Sequence, residues 1–157
     1  MRQTEKYVLF WSGIYSQWYG ANMEINGTKY NTCEQYMMYQ KALLFEDEEV
    51  ANAIMRETNP REQKALGRKI RNFDDQKWKQ NCMRIVYEAN LAKFTQNPEL
   101  KSALLSTGDR ILVEASPKDF IWGIGMHYED EGVENPANWK GTNLLAQVLK
   151  LVKNEIK

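Results

Sequence analysis

Glu34 and Lys41 are the two side chains whose types and spacing could do acid–base chemistry together. They sit in TCEQYMMYQKALLF (residues 32–45), which reads as a helix. Thr32 followed three residues on by Gln35 is a capping-box pattern, and Met, Gln, Lys, Ala and Leu favour continuation. At about 100° per residue, Glu34, Met38, Lys41 and Phe45 project along one strip, with Met37 and Leu44 beside it. A carboxylate and an ammonium thus share an apolar face. A charge on such a stripe must be paired, snorkelling or working at a site. Their seven-residue separation corresponds to about 10.5 Å of helix rise, too far for a direct ion pair within the helix. The two groups either reach two ends of one pocket or find separate structural partners.

The surrounding elements must position that strip. Tyr7–Trp11 suits a short strand, and Met23–Ile25 with Lys29–Tyr30 around Asn26-Gly27 predicts a hairpin. Between them Trp11, Tyr15, Trp18 and Tyr19 either cover a core edge or form a wall for a planar ligand. Asp47 can cap a helix to about Glu57, and Asn59-Pro60 with Glu62 opens a third. Gly67 in that third helix marks either close approach to the backbone or tight helix packing. Asp74 starts a long helix with Trp78 in its first turns, and Asn97-Pro98-Glu99 begins another that ends near Thr107-Gly108. From Arg110 the period changes: RILVEAS and DFIWGIG both read as strand-like runs, the first carrying Glu114 among apolar neighbours. An acidic irregular loop follows, and Thr142 or Asn143 opens a terminal helix. The pattern is mainly α with a small β component (α+β), in a single compact domain over 1–157.

Composition narrows the function classes. Lys+Arg and Asp+Glu balance at 21 each, so no net field draws nucleic acid or an anionic membrane. Cys33 and Cys82 lie outside any metal or redox spacing, which fits a reducing, cytoplasmic setting. The apolar run near the N-terminus is too short for a signal peptide, and no run is long enough to span a membrane. Phosphate and dinucleotide loops of the G-x-x-x-x-G-K-[ST] and G-x-G-x-x-G types are missing. His127 is the only histidine, which disfavours histidine metal sites and a Ser-His-Asp triad. The acidic loop around Glu129–Glu134 reads as a solvated surface, so neither metal nor cofactor is expected.

A set of ordered motifs extends the reading. Cys-Glu-Gln-Tyr-Met-Met-Tyr-Gln-Lys-Ala (33–42), Leu-Gly-Arg (66–68), Trp78, Leu-Val-Glu-Ala-Ser-Pro (112–117), Asp119, Trp-Gly-Ile-Gly (122–125) and Gly-Thr-Asn-Leu-Leu (141–145) succeed one another along nearly the whole chain. In their order and spacing they resemble the NADAR family of YbiA-like proteins. The resemblance implies a compact YbiA-like fold and an N-glycosidase activity that parts a ribose derivative from a nitrogen base. It allows two substrate classes: ADP-ribose attached to guanine, including in nucleic acid, and ribosylaminopyrimidine phosphates of riboflavin synthesis. A non-catalytic ADP-ribose or nucleotide sensor is the alternative of a different class.

Cleaving a ribosyl C–N bond builds positive charge on C1 and the ring oxygen, which a nearby carboxylate can stabilise while it activates water. Glu34 is the first candidate for that role. Lys41 could donate to the departing nitrogen or the ribose hydroxyls, or form a Schiff base with an opened sugar. Trp78 and Trp122 offer faces for base stacking, and Arg68 a forked donor for phosphate. Glu114, Asp119 and Asn143 are supporting candidates for ribose or base contacts.

Overall fold

Local capping signals set the helices of the computed structural model, which describes residues 1–157. The chain divides into two units, Gln17–Asn97 and the combination of Met1–Ser16 with Pro98–Lys157.

The Gln17–Asn97 unit opens with strands β1 (Met23–Ile25) and β2 (Thr28–Tyr30), paired antiparallel. Asn26 and Gly27 both take positive φ, 52° and 81°, as a two-residue turn matched to strand twist requires. Helix α1 (Cys33–Leu44) follows, its Thr32 side chain accepting from the Gln35 N–H. The capping box is extended by one residue, because the Gln35 carboxamide reaches back to the N–H of Asn31, 2.8 Å away. Helices α2 (Glu48–Arg56), α3 (Pro60–Gly67) and α4 (Asp75–Gln96) start at the expected caps Asp47, Asn59 and Asp74. Ile85, Ala89 and Ala92 of α4 pack on Cys33 and Tyr36, while Met38, Ala42 and Phe45 pack on Ala51, Ile54 and Ile70. These two apolar clusters fix the rotation of α1.

Asp47 has a second task besides capping. Its buried carboxylate accepts from the Val50 N–H and from the backbone, Nε and Nη2 of Arg71, at 2.9–3.2 Å. The Arg71 side-chain hydrogen bonds, then its backbone one, hold this carboxyl far below the usual carboxylate range. Because the folded group releases its proton more readily than an unfolded Asp near pKa about 3.9, the stabilisation is present above about pH 4 and lost on further acidification. Thermal unfolding of the wild type is therefore expected to weaken steeply below that pH, with a shallower fall in Asp47→Asn. Equal slopes in the two proteins would refute the assignment.

In the other unit, strands β3 (Arg2–Gln3), β4 (Tyr7–Phe10) and β5 (Ile111–Glu114) form one sheet, with β3 antiparallel and β5 parallel to the central β4. Strand β3 carries only two residues, below the length at which alternation is visible in sequence. Helix α5 (Pro98–Ser106) and helix α6 (Leu144–Ile156) complete the unit. Leu145, Val148, Leu149, Val152 and Ile156 make the buried stripe of α6. Lys153 on that stripe is also buried, its ammonium donating to Thr107 Oγ1 and to the carbonyls of Gly108 and Arg110 at 2.8–3.0 Å. It thereby satisfies carbonyls just past the C-terminus of α5.

The segment DFIWGIG is not a strand. The Asp119 carboxylate accepts from the N–H groups of Ile121 and Trp122 at 3.0 and 2.8 Å, a side-chain turn that competes with extended pairing. Gly125 then takes φ 69°. The fold class is α+β as expected, with helices dominating the Gln17–Asn97 unit.

Candidate active site

The Gln17–Asn97 unit holds Glu34, Lys41, Arg68 and Trp78. Glu34 lies in the first turn of α1 and is 4% exposed, whereas Lys41 is in the last turn and half-buried. The helix dipole favours a negative group at the first position and a positive one at the second. The strip is therefore electrostatically consistent although its residues are far apart.

A buried polar network fixes the first turn. The Glu34 N–H donates to the Gln17 carbonyl at 3.0 Å. Gln17 and Asn90 exchange two side-chain amide hydrogen bonds, 3.0 and 2.9 Å, and Asn90 also donates to the Val86 carbonyl within α4. On the opposite flank, Thr32 donates its hydroxyl to Gln63 Oε1 at 2.7 Å, and Gln63 donates to Asn31 Oδ1 and the Glu57 carbonyl. Gln35 adds a bond to the Ile54 carbonyl. Such a connected network stiffens the backbone of the first turn of α1.

Lys41 is held by rings. Its Nζ lies 4.8 Å from the centroid of Phe73 and 5.3 Å from that of Trp78, both within cation–π range. Burial pulls its pKa below the ordinary lysine value, opposed by the charge of Glu34. Between them Met38 lies against Gly67: a Cβ built on that glycine would meet the Met38 sulfur. Gly67 thus lets α3 receive the Met38 side chain of α1 against its backbone. Arg68, the next residue, is exposed at the C-cap of α3.

Glu114, Asp119, Trp122 and Asn143 belong to the other unit, where they gather around the end of β5. The Asn143 amide is engaged by the strand, accepting from the Glu114 N–H at 3.1 Å and donating to the Leu112 carbonyl at 3.4 Å. It stands before α6 with left-handed backbone and makes no side-chain cap. Asp119 organises the turn that presents Trp122, so its oxygen is occupied by backbone donors. Gly123 sits where a Cβ would lie 2.8 Å from the Glu114 carbonyl oxygen. In this arrangement Asn143 and Asp119 position the strand and the tryptophan loop.

Sequence reasoning missed Phe73, Gln63 and Asn90. Phe73, a lone aromatic between Asn72 and Asp74 in a polar turn, carried a usable signal. Gln63 and Asn90 carried none, since each lies in a helix of mixed polarity and is completely buried only through distant partners.

No group of three or more His, Cys, Asp or Glu side chains is placed to hold a metal ion. No helix is long and apolar enough to cross a membrane.

The α+β arrangement is that of the NMR structure of the Escherichia coli protein YbiA, with a TM-score of 0.80 at 26% identity, covering 99% of this chain and 87% of that one. The family model described as NADAR domain matches residues 7–157, and the chain belongs to that family. Among relatives, the protein named N-glycosidase R617 of Acanthamoeba polyphaga mimivirus is 42% identical over 98% of each chain. Protein irg-1 of Caenorhabditis elegans is 37% identical, over 98% of this chain and 81% of its own.

Proposed function

We propose that this chain is an N-glycosidase, a hydrolase of N-glycosyl bonds, and that its substrate is ADP-ribose attached to guanine. The names of its relatives support the activity. The observation that carries the reading is the presence on α1 of a buried carboxylate, on backbone tied to Gln17, and a half-buried lysine bracketed by aromatic rings. In the proposed reaction the C1–N bond breaks, the electron pair leaves with the base, and water adds to C1. Glu34 stabilises the oxocarbenium-like charge and takes the proton of the water; Lys41 donates to the departing nitrogen or the ribose hydroxyls. Trp78 and Trp122 are assigned base stacking, Arg68 a phosphate, and Glu114, Asp119 and Asn143 supporting roles.

A balanced charge gives no general affinity for nucleic acid, which favours ribosylaminopyrimidine phosphates as the second reading. Mass spectrometry of products from an ADP-ribosylated guanine oligonucleotide and a ribosylaminopyrimidine phosphate, side by side, tests both. Free guanine-containing oligonucleotide and ADP-ribose from the first substrate are expected. Cleavage of the pyrimidine alone would transfer the activity to the second reading. Binding of ADP-ribose without cleavage of either would make the chain a sensor.

A further inference from the structure

The loop after Gln17 carries two exposed aromatic rings that the reaction above leaves unused. Trp18 is 42% and Tyr19 37% exposed. Large rings held in water on a mobile loop would lose much of their binding energy to ordering, but this loop is pinned at both ends. Gln17 is tied to Asn90 by two amide bonds and to Glu34 by its carbonyl, and the Ala21 N–H donates to the Asn31 carbonyl at 3.0 Å. Beside Trp18 stands Lys64 of α3, its Nζ 5.9 Å from the ring centroid. Arg68 follows Lys64 by four residues, so both project from one face of the chain. Among the ion pairs of the structure, Asp47 and Glu49 engage Arg71, whereas none engages Lys64 or Arg68. A pre-formed flat platform, two cations with no carboxylate on them and the reacting carboxylate are therefore joined through adjacent residues.

We propose that Trp18, Lys64 and Arg68 form a subsite for the nucleoside diphosphate arm of the substrate, with the diphosphate on Lys64 and Arg68 and the distal base stacked on Trp18. The inference rests on the assignment of Glu34 to the reacting end. A single phosphate would need only one of the two cations and no platform. The subsite thus makes Trp18 and Lys64 specificity-determining residues, selecting a diphosphate-linked ribose over a ribose monophosphate.

Titration calorimetry with ADP-ribose and ribose 5-phosphate, on wild type, Trp18→Ala and Lys64→Gln, tests it. The preference for ADP-ribose, taken as the ratio of the two dissociation constants, is expected to fall roughly 5- to 150-fold in Trp18→Ala, the range of one lost base–aromatic stack. It is expected to fall less in Lys64→Gln. In turnover of ADP-ribosylated guanine oligonucleotide the same loss is expected in KM, with kcat little changed. An unchanged ratio in both variants, or failure of the wild type to bind ADP-ribose, overturns the subsite. If Trp18→Ala loses cooperative unfolding, Lys64→Gln alone decides. Cleavage of the oligonucleotide with an unchanged ratio removes the subsite and keeps the enzyme assignment. A shifted ratio without cleavage does the reverse.

Discussion

Glu34→Gln is expected to lower turnover of the N-glycosyl substrate by about a thousandfold, within the roughly 10²- to 10⁴-fold range for removal of a positioned general base. The substitution keeps shape and volume and removes only the charge that opposes the developing cation on C1. Its effect should fall on kcat, because an interaction made mainly in the transition state has been removed. Binding of ADP-ribose should be retained. Stability is read separately, because neutralising a buried carboxylate also costs any group paired with it. Single-turnover mass spectrometry with a parallel melting curve reads both quantities. Turnover within about tenfold of wild type would remove Glu34 from the reacting position, since even the weak end of general catalysis exceeds that.

Gly141→Ala is expected to be the most damaging small substitution in the other unit. A Cβ at Gly141 would lie 2.3 Å from the Gly123 carbonyl oxygen and 2.7 Å from the Phe120 Cα. Both obstacles are backbone, so no rotamer change relieves them. Overpacking of this kind costs about 3 kcal/mol, which for a chain of 157 residues lowers the melting temperature by roughly 6–12 °C. The damage would reach Trp122, because the Leu144 and Leu145 N–H groups donate to the carbonyls of Ile121 and Trp122. Gly20→Ala is the control, since nothing lies within 4 Å of a Cβ there, and its shift should stay within about 0.5 kcal/mol. Equal melting temperatures for the two variants would contradict the close approach at Gly141. Close backbone approach gives a physical reason for glycine in two of the motifs that carried the family resemblance: the Glu114 and Asp119 carbonyls face Gly123, and Phe120 and the Gly123 carbonyl face Gly141.

What the sequence made legible was local. Thr32, Asp47, Asn59 and Asp74 each bond an N–H two or three residues away, so helix starts could be placed from short strings. The Asn26-Gly27 turn was legible for the same reason. The helical repeat was enough to put Glu34 and Lys41 on one strip, although the first turn of α1, Cys33 to Tyr36, is buried on every side. Failures came where partners are remote or compete. Asp119 turned an apolar, glycine-containing run away from pairing through bonds to its own neighbours, and apolar content alone could not distinguish the two outcomes. The network that stiffens Glu34 joins residues 31 and 73 positions apart, beyond any periodicity. Asn143 stands at the N-cap of α6, where the sequence placed a helix start, but its side-chain amide bonds a strand 29 and 31 residues earlier and does not cap the helix.

The parallel pairing of β4 with β5 also bears on how the molecule is made. Phe10 must wait for Glu114, its register partner, and at about 5–20 residues per second that interval lasts roughly 5–20 s of synthesis. During it, Arg2 and Gln3 can cover only one edge of β4, and the other edge stays open to unwanted strand pairing. The Gln17–Asn97 unit, continuous in sequence, faces no such delay and can form while the ribosome is still translating the rest. The residues assigned to bond cleavage therefore fold early, and the sheet closes last, with the C-terminal third of the protein.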